Sequence, residues 1–243
     1  MLGSKEIAES LGTLAVAGLA AGGCAYAALG PESQIFGRTL VAPARPGEIA
    51  LTFDDGPNPA WTPRLLELLA GHRVTATFFL VGKFAEAESV LTRHIADAGH
   101  VIGNHTWNHP NLFWTAPDRV REELTRTKDT LEQITGRPVR FFRPPFGARR
   151  PDVLRTAWRL GMTPVLWNSM TNDWAQRSAE RIAQRLGAKV DAAGRRGRAA
   201  NVVLHDGGHR GLGADRGPSV KGAGILLECY AGTRKFVTVE DWG

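Results

Sequence analysis

The stretch LTFDDGP at residues 51–57 decides which fold and which chemistry we expect of this chain. An apolar run that is typical of a buried strand stops at two adjacent carboxylates, Asp54 and Asp55, and a glycine and a proline follow. Asp, Gly and Pro are common turn residues, so the stretch could be only a turn. The choice depends on whether other parts of the chain supply partners for the two carboxylates.

Apolar runs rich in β-branched and aromatic residues alternate with amphipathic runs along the rest of the chain. Seven of them predict strands: IALTF, TATFFLV, HVIGN, VRFFR, TPVLWN, NVVLH and KFVTV. The amphipathic runs between them predict helices, several of which end at a glycine. Strands that are linked by helices in this way predict a parallel α/β architecture.

Polar side chains follow the ends of most predicted strands. They are Asp54 and Asp55 after the first strand, His105 and His109 after the third, RPPFG after the fourth, NDW after the fifth, and His205 with Asp206 after the sixth. In parallel α/β folds the active site is built from loops at these C-terminal strand ends. Interpreting LTFDDGP as a turn alone explains none of this convergence.

The residues GNHTWNHP at 103–110 indicate a metal site. His105 and His109 are four positions apart, a spacing that can aim both imidazoles at one point. A carboxylate from another strand end would complete a three-ligand catalytic site with an open position. Because consecutive side chains on an extended backbone point to opposite sides, one of Asp54 and Asp55 can bind the metal while the other acts as general base.

Three more side chains supply the remaining parts of a hydrolytic mechanism. Arg143 in FRPPFG can hold the base ionised, since a nearby guanidinium favours the carboxylate form. His205 in VVLHDGG is available as general acid, and Asp173 of NDW can orient it and favour its imidazolium form. A metal, a base and an acid together predict hydrolysis of an amide or ester through a tetrahedral intermediate.

The motifs TFDDGP, HTWNH, RPPFG, NDW and LHD, in this order between positions 52 and 206, resemble the five motifs of the polysaccharide deacetylases, the NodB-homology or carbohydrate esterase family 4 group. The resemblance implies an α/β fold, a distorted (β/α) barrel with about seven parallel strands. It also implies a hydrolase that acts on carbon–nitrogen bonds other than peptide bonds and removes acetyl groups from N-acetylated or O-acetylated sugars. One divalent metal ion is implied, usually Zn²⁺, with Co²⁺ or Ni²⁺ as alternatives because an Asp-His-His site accepts all three.

By position, the resemblance assigns a role to each motif residue. Asp54 would be the general base tethered by Arg143, and His205 the general acid beside Asp173. Asp55, His105 and His109 would bind the metal. The substrate-binding residues would be Pro145, Phe146, Gly147, Trp174 and Leu204, with the backbone N–H of Phe146 at the oxyanion and Leu204 and Trp174 around the acetyl methyl. Two positions depart from the family pattern: Phe146 stands where Tyr is frequent, and Met170 stands where an acidic residue is frequent.

Residues 1–44 are expected to precede the catalytic domain at 45–243. Residues 11–30 are uncharged and near the length that a helix needs to cross a bilayer, which predicts a membrane anchor or an uncleaved signal. The alternative is an Ala-rich helix that packs on the domain. Residues 30–48 have the Pro and Gly content of a linker. A membrane-anchored or secreted enzyme that faces the cell envelope or the exterior is therefore expected.

The chain has 243 residues and a formal net charge of +6, and its basic residues are dispersed apart from GRRGR at 194–198. No nucleic-acid partner is expected from this pattern. The expected partner is an acetylated polysaccharide or oligosaccharide, and the catalytic domain is expected to be monomeric. Two other functions stay open, a metal-dependent hydrolase of a non-sugar amide and a catalytically silent relative that binds carbohydrate.

Several aromatic and histidine side chains have an open interpretation. His209 lies just past His205 in a Gly-rich loop that could cover the site, so it is a candidate for substrate contact. Trp107 and Trp114 are candidates for stacking on sugar rings or for anchoring the core. His72, His94 and His100 are expected to be solvated.

Overall fold

A computed structural model of the chain describes residues 22–243. The strands are β1 (Glu48–Gly56), β2 (Thr77–Leu80), β3 (Val101–Asn104), β4 (Phe141–Phe142), β5 (Thr163–Pro164), β6 (Ser169–Met170), β7 (Ala200–His205) and β8 (Lys235–Val237). The helices are α1 (Thr62–His72), α2 (Gly82–Ala87), α3 (Ser89–Asp97), α4 (Pro117–Thr135), α5 (Pro151–Arg159), α6 (Ala179–Arg195) and α7 (Gly217–Tyr230). Short 3₁₀ turns lie at Pro145–Gly147, Asp173–Ala175 and Val239–Trp242.

The strands form one parallel sheet in the order β5-β4-β3-β2-β1-β7-β6, and β8 pairs with the start of β1. The segment between β5 and β6, residues 165–168, forms hydrogen bonds with β4 near one edge of the sheet and with β7 near the other edge. Val165 donates its N–H to the carbonyl of Phe142 at 2.7 Å, and Asn168 donates to the carbonyl of Asn201 at 3.3 Å. The predicted fold class, a distorted (β/α) barrel, is confirmed. All seven predicted strands are present, and β6 is an additional strand of two residues.

Alternation along β1 sorts its side chains between the two faces of the sheet. Ile49, Leu51 and Phe53 pack in the core between the sheet and the helices. Thr52 and Asp54 face the barrel interior, where both accept hydrogen bonds from Arg143. Asp54 therefore lies inside the barrel at the end of the strand where the loops converge.

One predicted helix is divided in the structure. The sequence KFAEAESVLTRHIADAG favours a single helix, whereas α2 and α3 are separated at Glu88. Glu88 has φ −110° and ψ 47°, outside the helical region. The apolar periodicity continues across the break, so the pattern alone does not reveal it.

Residues 27–43 pack on the barrel, although the sequence predicts a linker over most of them. Leu40 donates its N–H to the carbonyl of Pro164 at 2.8 Å, and Ala199 donates to the carbonyl of Pro43 at 2.8 Å. The guanidinium of the fully buried Arg149 donates to the carbonyls of Ala28, Gly30 and Ser33. The packed unit therefore extends N-terminal to Arg45.

The predicted apolar segment at residues 11–30 lies partly outside the described residues. Its last part, residues 22–29, is helical, and Ala27 and Ala28 are buried. Within residues 22–243, no helix combines the length and the apolar character needed to cross a bilayer.

Candidate active site

The two histidines of the GNHTWNHP stretch meet a carboxylate at the end of β1. Nε2 of His109 lies 3.1 Å from Oδ1 of Asp55, and Nε2 of His105 lies 3.5 Å from the same oxygen. All three side chains are buried, and their ligand atoms lie within 4.8 Å of one another. The structure thus brings together the three predicted metal ligands.

Hydrogen bonds within the loop after β3 fix the two histidines. Thr106 donates its N–H to Oδ1 of Asn104 at 2.8 Å, and His109 donates its N–H to Oγ1 of Thr106 at 3.0 Å. Asn108 ties the loop to α4 through two hydrogen bonds to Glu123. These contacts fix the backbone of the loop that carries the two histidines.

Unusual backbone conformations concentrate at the site. Five non-glycine residues of the described chain have positive φ, and four of them are Asp55, Thr106, His109 and Phe146. Backbone strain of this kind persists only where the surroundings enforce it, and it often marks a functional site.

The donor set fits a divalent cation. His105 donates from Nδ1 to the carbonyl of Arg143 at 2.8 Å, which orients its Nε2 towards Asp55. Oδ1 of Asp55 is buried and has no hydrogen-bond partner among residues 22–243. A buried carboxylate oxygen that faces two imidazole nitrogens in this way is an arrangement that a divalent cation would complete.

The ionisation states also suit metal binding. Burial raises the pKa of Asp55, but its contacts with His105, His109 and His209 outweigh burial and hold that pKa well below its usual range. Burial lowers the pKa of His109, with Asp55 opposing the shift. An ionised carboxylate and a neutral imidazole are the forms that bind metal.

Asp54 has a different partner from its neighbour. Nη1 of the fully buried Arg143 donates to Oδ1 of Asp54 at 2.7 Å and to Oγ1 of Thr52 at 2.7 Å. The guanidinium also lies 4.0 Å from the ring centroid of Phe79. Since Asp54 contacts an arginine and Asp55 contacts two histidines, the adjacent carboxylates have separate environments.

His205 and Asp173 form a second pair on the rim. Nδ1 of His205 lies 2.9 Å from Oδ1 of Asp173, while the N–H of His205 and Oγ of Ser219 donate to Oδ2. Burial disfavours the imidazolium, but the charge and hydrogen bond of Asp173 outweigh burial and raise the pKa of His205 to about 9, with smaller contributions from Asp55 and Asp54. His205 is also the register partner of Asp54 across β1 and β7.

A cleft of about 270 Å³ opens over these groups. Its walls include Phe146, Trp167, Met170, Trp174 and Val203. Phe146 is 54% exposed and Trp174 is 44% exposed, so both offer aromatic surface to a ligand. Trp167, Met170 and Val203 were not among the predicted substrate-binding residues, although Trp167 and Met170 lie only a few residues before the NDW motif that contains Asp173.

Three of the predicted substrate-binding residues do not line the cleft. Leu204 packs in the core between the sheet and the helices, because side chains alternate along β7 and Val203 is the one that faces inward. Pro145 and Gly147 also lie outside the cleft walls, where Pro144 and Phe146 are found instead. The expected contact of Leu204 with the acetyl methyl is therefore wrong.

Asp206 lies behind the site and does not line the cleft. It accepts a hydrogen bond from Oγ1 of Thr62, and burial raises its pKa to about 7. A Cβ at Gly56 would lie 2.6 Å from Oδ2 of Asp206, and a Cβ at Gly207 would lie 2.0 Å from the carbonyl oxygen of Asp55. The glycine of DDGP is thus needed for close packing of β1 against the loop after β7.

Two of the residues with an open interpretation lie in the core. Trp107 is buried, with the guanidinium of Arg126 lying 3.6 Å from its ring centroid, which leaves no face for a sugar. His100 was expected to be solvated, but it is buried and its Nδ1 accepts the N–H of Ala76 at 3.1 Å. Trp114 is 80% exposed.

The buried Asp-His-His group, the Asp–Arg pair and the His–Asp pair thus lie together at one rim of a (β/α) barrel, the arrangement from which the sequence predicted a hydrolase. The sequence model described as polysaccharide deacetylase matches residues 42–165, just over half of the chain. A peptidoglycan-N-acetylglucosamine deacetylase of Bacillus cereus is 40% identical over 144 residues, which cover 59% of this chain and 52% of that protein. A chitooligosaccharide deacetylase of Azorhizobium caulinodans is 37% identical over 175 residues, which cover 72% of this chain and 80% of that protein.

A solved structure of a protein with a related name is also similar to this chain. The Bc1960 peptidoglycan N-acetylglucosamine deacetylase, in complex with 4-naphthalen-1-yl-N-oxidanyl-benzamide, superposes with a TM-score of 0.75 and 32% identity over 83% of this chain and 90% of that one. The chain belongs to the polysaccharide deacetylase family. The expected class, a hydrolase acting on carbon–nitrogen bonds, is confirmed at the level of the family. The chain spans about half the length of the Bacillus cereus relative, and its own activity is the subject of the next section.

Proposed function

We propose that this protein is a metal-dependent deacetylase that removes acetyl groups from N-acetylated sugars of a cell-envelope or extracellular glycan. The observation that carries the proposal is the division of work between Asp54 and Asp55. Asp55 lies with His105 and His109 as a ligand set, while Asp54 lies 2.7 Å from Arg143 as an oriented base. The names of the relatives, which include peptidoglycan and chitooligosaccharide deacetylases, support a sugar substrate.

A divalent metal held by Asp55, His105 and His109 would polarise the acetyl carbonyl and make a water more acidic. Zn²⁺ is the first choice, because one carboxylate and two imidazoles with an open position are typical of catalytic zinc. Co²⁺ and Ni²⁺ suit the same donors.

The chain's own residues carry the proton transfers. Asp54, oriented by the hydrogen bond that it accepts from Arg143, takes a proton from the attacking water as the new carbon–oxygen bond forms. The backbone N–H of Phe146 donates to the oxygen that becomes negative. His205, protonated because of Asp173, gives its proton to the amide nitrogen as the carbon–nitrogen bond breaks. Acetate and a free amine leave the site.

The walls of the cleft support a sugar ring as the group next to the acetyl. Exposed aromatic surface at Phe146 and Trp174 provides apolar faces of the kind that stack on sugars. Val203 and Trp167 also line the cleft and offer apolar surface for the acetyl methyl. We place the acetyl group against these two residues.

A location at the membrane or outside the cell belongs to the same proposal. It rests on the uncharged composition of residues 11–30 and on the envelope glycans that two relatives are named for. A monomeric catalytic domain is likewise proposed.

The test is acetate release by the full chain, apo and zinc-loaded, from N-acetylglucosamine oligomers, peptidoglycan and acetylated xylan. Asp54→Asn is the control, because it removes the base without removing a ligand. We expect zinc-dependent release from the N-acetylated substrates and a fall in kcat of about 10²-fold or more in the variant, at unchanged zinc content. No release from any substrate despite bound zinc would favour a non-sugar amide or a binding-only role.

A further inference from the structure

The two histidines of the ligand set are supported differently. His105 has its Nδ1 fixed by the carbonyl of Arg143. Nδ1 of His109 is buried and has no hydrogen-bond partner among the described residues. Metal-binding histidines almost always have their second nitrogen held by a polar partner, so His109 needs another restraint.

His209 lies where such a restraint is needed. Its ring stacks on His109 with centroids 4.6 Å apart and an interplanar angle of 14°. The edge of Phe146 contacts His109 from another side, with centroids 4.7 Å apart at 77°. His109 is thus enclosed by two aromatic rings.

His209 also faces the second oxygen of Asp55. Its Nδ1 lies 3.7 Å from Oδ2, whereas Oδ1 faces His105 and His109. This distance is longer than a hydrogen bond, so His209 adds ring packing on His109 and proximity to Asp55, without a hydrogen bond to either. His209 lies outside the group whose ligand atoms converge within 4.8 Å.

The loop that carries His209 is fixed at several points. Nε of Arg216 donates to the carbonyl of Gly207 at 2.6 Å, and Nδ2 of Asn58 donates to the carbonyl of Ala214 at 2.8 Å. A Cβ at Gly208 would lie 2.7 Å from Cβ of Ala214, so the loop folds tightly on itself. These contacts fix the backbone of the loop around His209 without using the His209 side chain.

We propose that His209 is a positioning residue of the metal centre, which holds the His109 imidazole in its ligating orientation by packing on its face. The proposal rests on the proposed function only in that the Asp-His-His group binds a metal.

The test is the zinc affinity of the apo full-length protein, measured by titrating Zn²⁺ in competition with a chromophoric chelator. We expect His209→Ala to weaken zinc binding about tenfold or more, the size of effect that outer-shell partners typically have. We expect His209→Phe to retain most of the wild-type affinity, since it keeps the ring. His94→Ala, an exposed histidine on α3, is the matched control and should leave the affinity unchanged.

Thermal unfolding of the apo variants separates positioning from folding. The side chain of His209 is 37% exposed, so we expect the apo stability of both variants to match that of the wild type. The proposal is overturned if His209→Ala binds zinc as tightly as the wild type, or if His209→Phe loses as much affinity as His209→Ala. Absence of zinc binding by the wild type would instead overturn the proposed function itself.

Discussion

At the scale of single residues, the site depends on two charged pairs, and one member of each pair, Asp54 or His205, lines the cleft. Arg143 holds Asp54 on one side, and Asp173 holds His205 on the other. The first pair orients the proposed base, and the second raises the pKa of the proposed acid to about 9. Since Asp54 and His205 are neighbours in the β1–β7 register, base and acid are placed by one sheet pairing.

The pH dependence of activity tests the second pair. His205 has its pKa raised to about 9, so we expect kcat/KM to fall as the pH rises through about 9, where the acid loses its proton. Asp173→Asn removes the charge that raises this pKa, so the basic limb should move towards the ordinary histidine value. A basic limb at the same pH in both proteins would show that His205 is not the acid.

The same shift affects stability with a defined sign. The pKa of His205 is higher in the folded chain than its ordinary value of 6.5. The His205–Asp173 pair therefore contributes its full stabilisation of the fold below about pH 6.5. This contribution is lost as the pH rises towards about 9.

At the scale of elements, alternation along β7 separates a core position from a site position. Leu204→Ala should lower the free energy of unfolding by about 2–5 kcal/mol, because a fully buried side chain is lost, and leave KM unchanged. Val203→Ala should lower kcat/KM about tenfold through a poorer fit of the acetyl group. Urea denaturation measures the loss of stability, and steady-state kinetics measure the loss of kcat/KM. A kinetic loss in Leu204→Ala together with unchanged kinetics in Val203→Ala would contradict this placement of the two side chains.

The hydrogen bonds from Arg149 to residues 28–33 attach the N-terminal segment to the barrel. Arg149→Met leaves the carbonyls of Ala28, Gly30 and Ser33 without their donor and should cost about 3 kcal/mol or more in urea denaturation. Removal of residues 1–44 should make the same substitution much less costly, since these acceptors are then gone. An equal cost in both backgrounds would show that the contact does not stabilise the fold.

At the scale of the whole molecule, the barrel and the ligand set follow from local patterns. Seven of the eight strands lie within apolar runs of the sequence. Asp54 and Asp55 lie at the end of β1, and His105 and His109 lie in the loop after β3. Parallel strands bring their C-terminal ends to one rim, so position in the sequence predicts proximity in space. The motif residues were predictable for this reason.

The assignment of Leu204 to the cleft fails because side chains alternate along β7, so Leu204 cannot share the inward face with His205. Other features depend on contacts that no local pattern encodes. Arg149 follows the RPPFG motif without any signal that residues 28–33 would surround it. The strand β6 has two residues, fewer than a periodic pattern needs. Long-range packing decides these last two.

The most direct test of the central claim is acetate release from an N-acetylglucosamine oligomer while zinc is added stepwise to the apo full-length protein. We predict that activity rises linearly and saturates at one zinc per chain, and that Asp55→Ala shows neither tight zinc binding nor activity. Full activity of the chelated apo protein, or a variant that remains as active as the wild type, would contradict the assignment of Asp55, His105 and His109 as the metal site that supports catalysis.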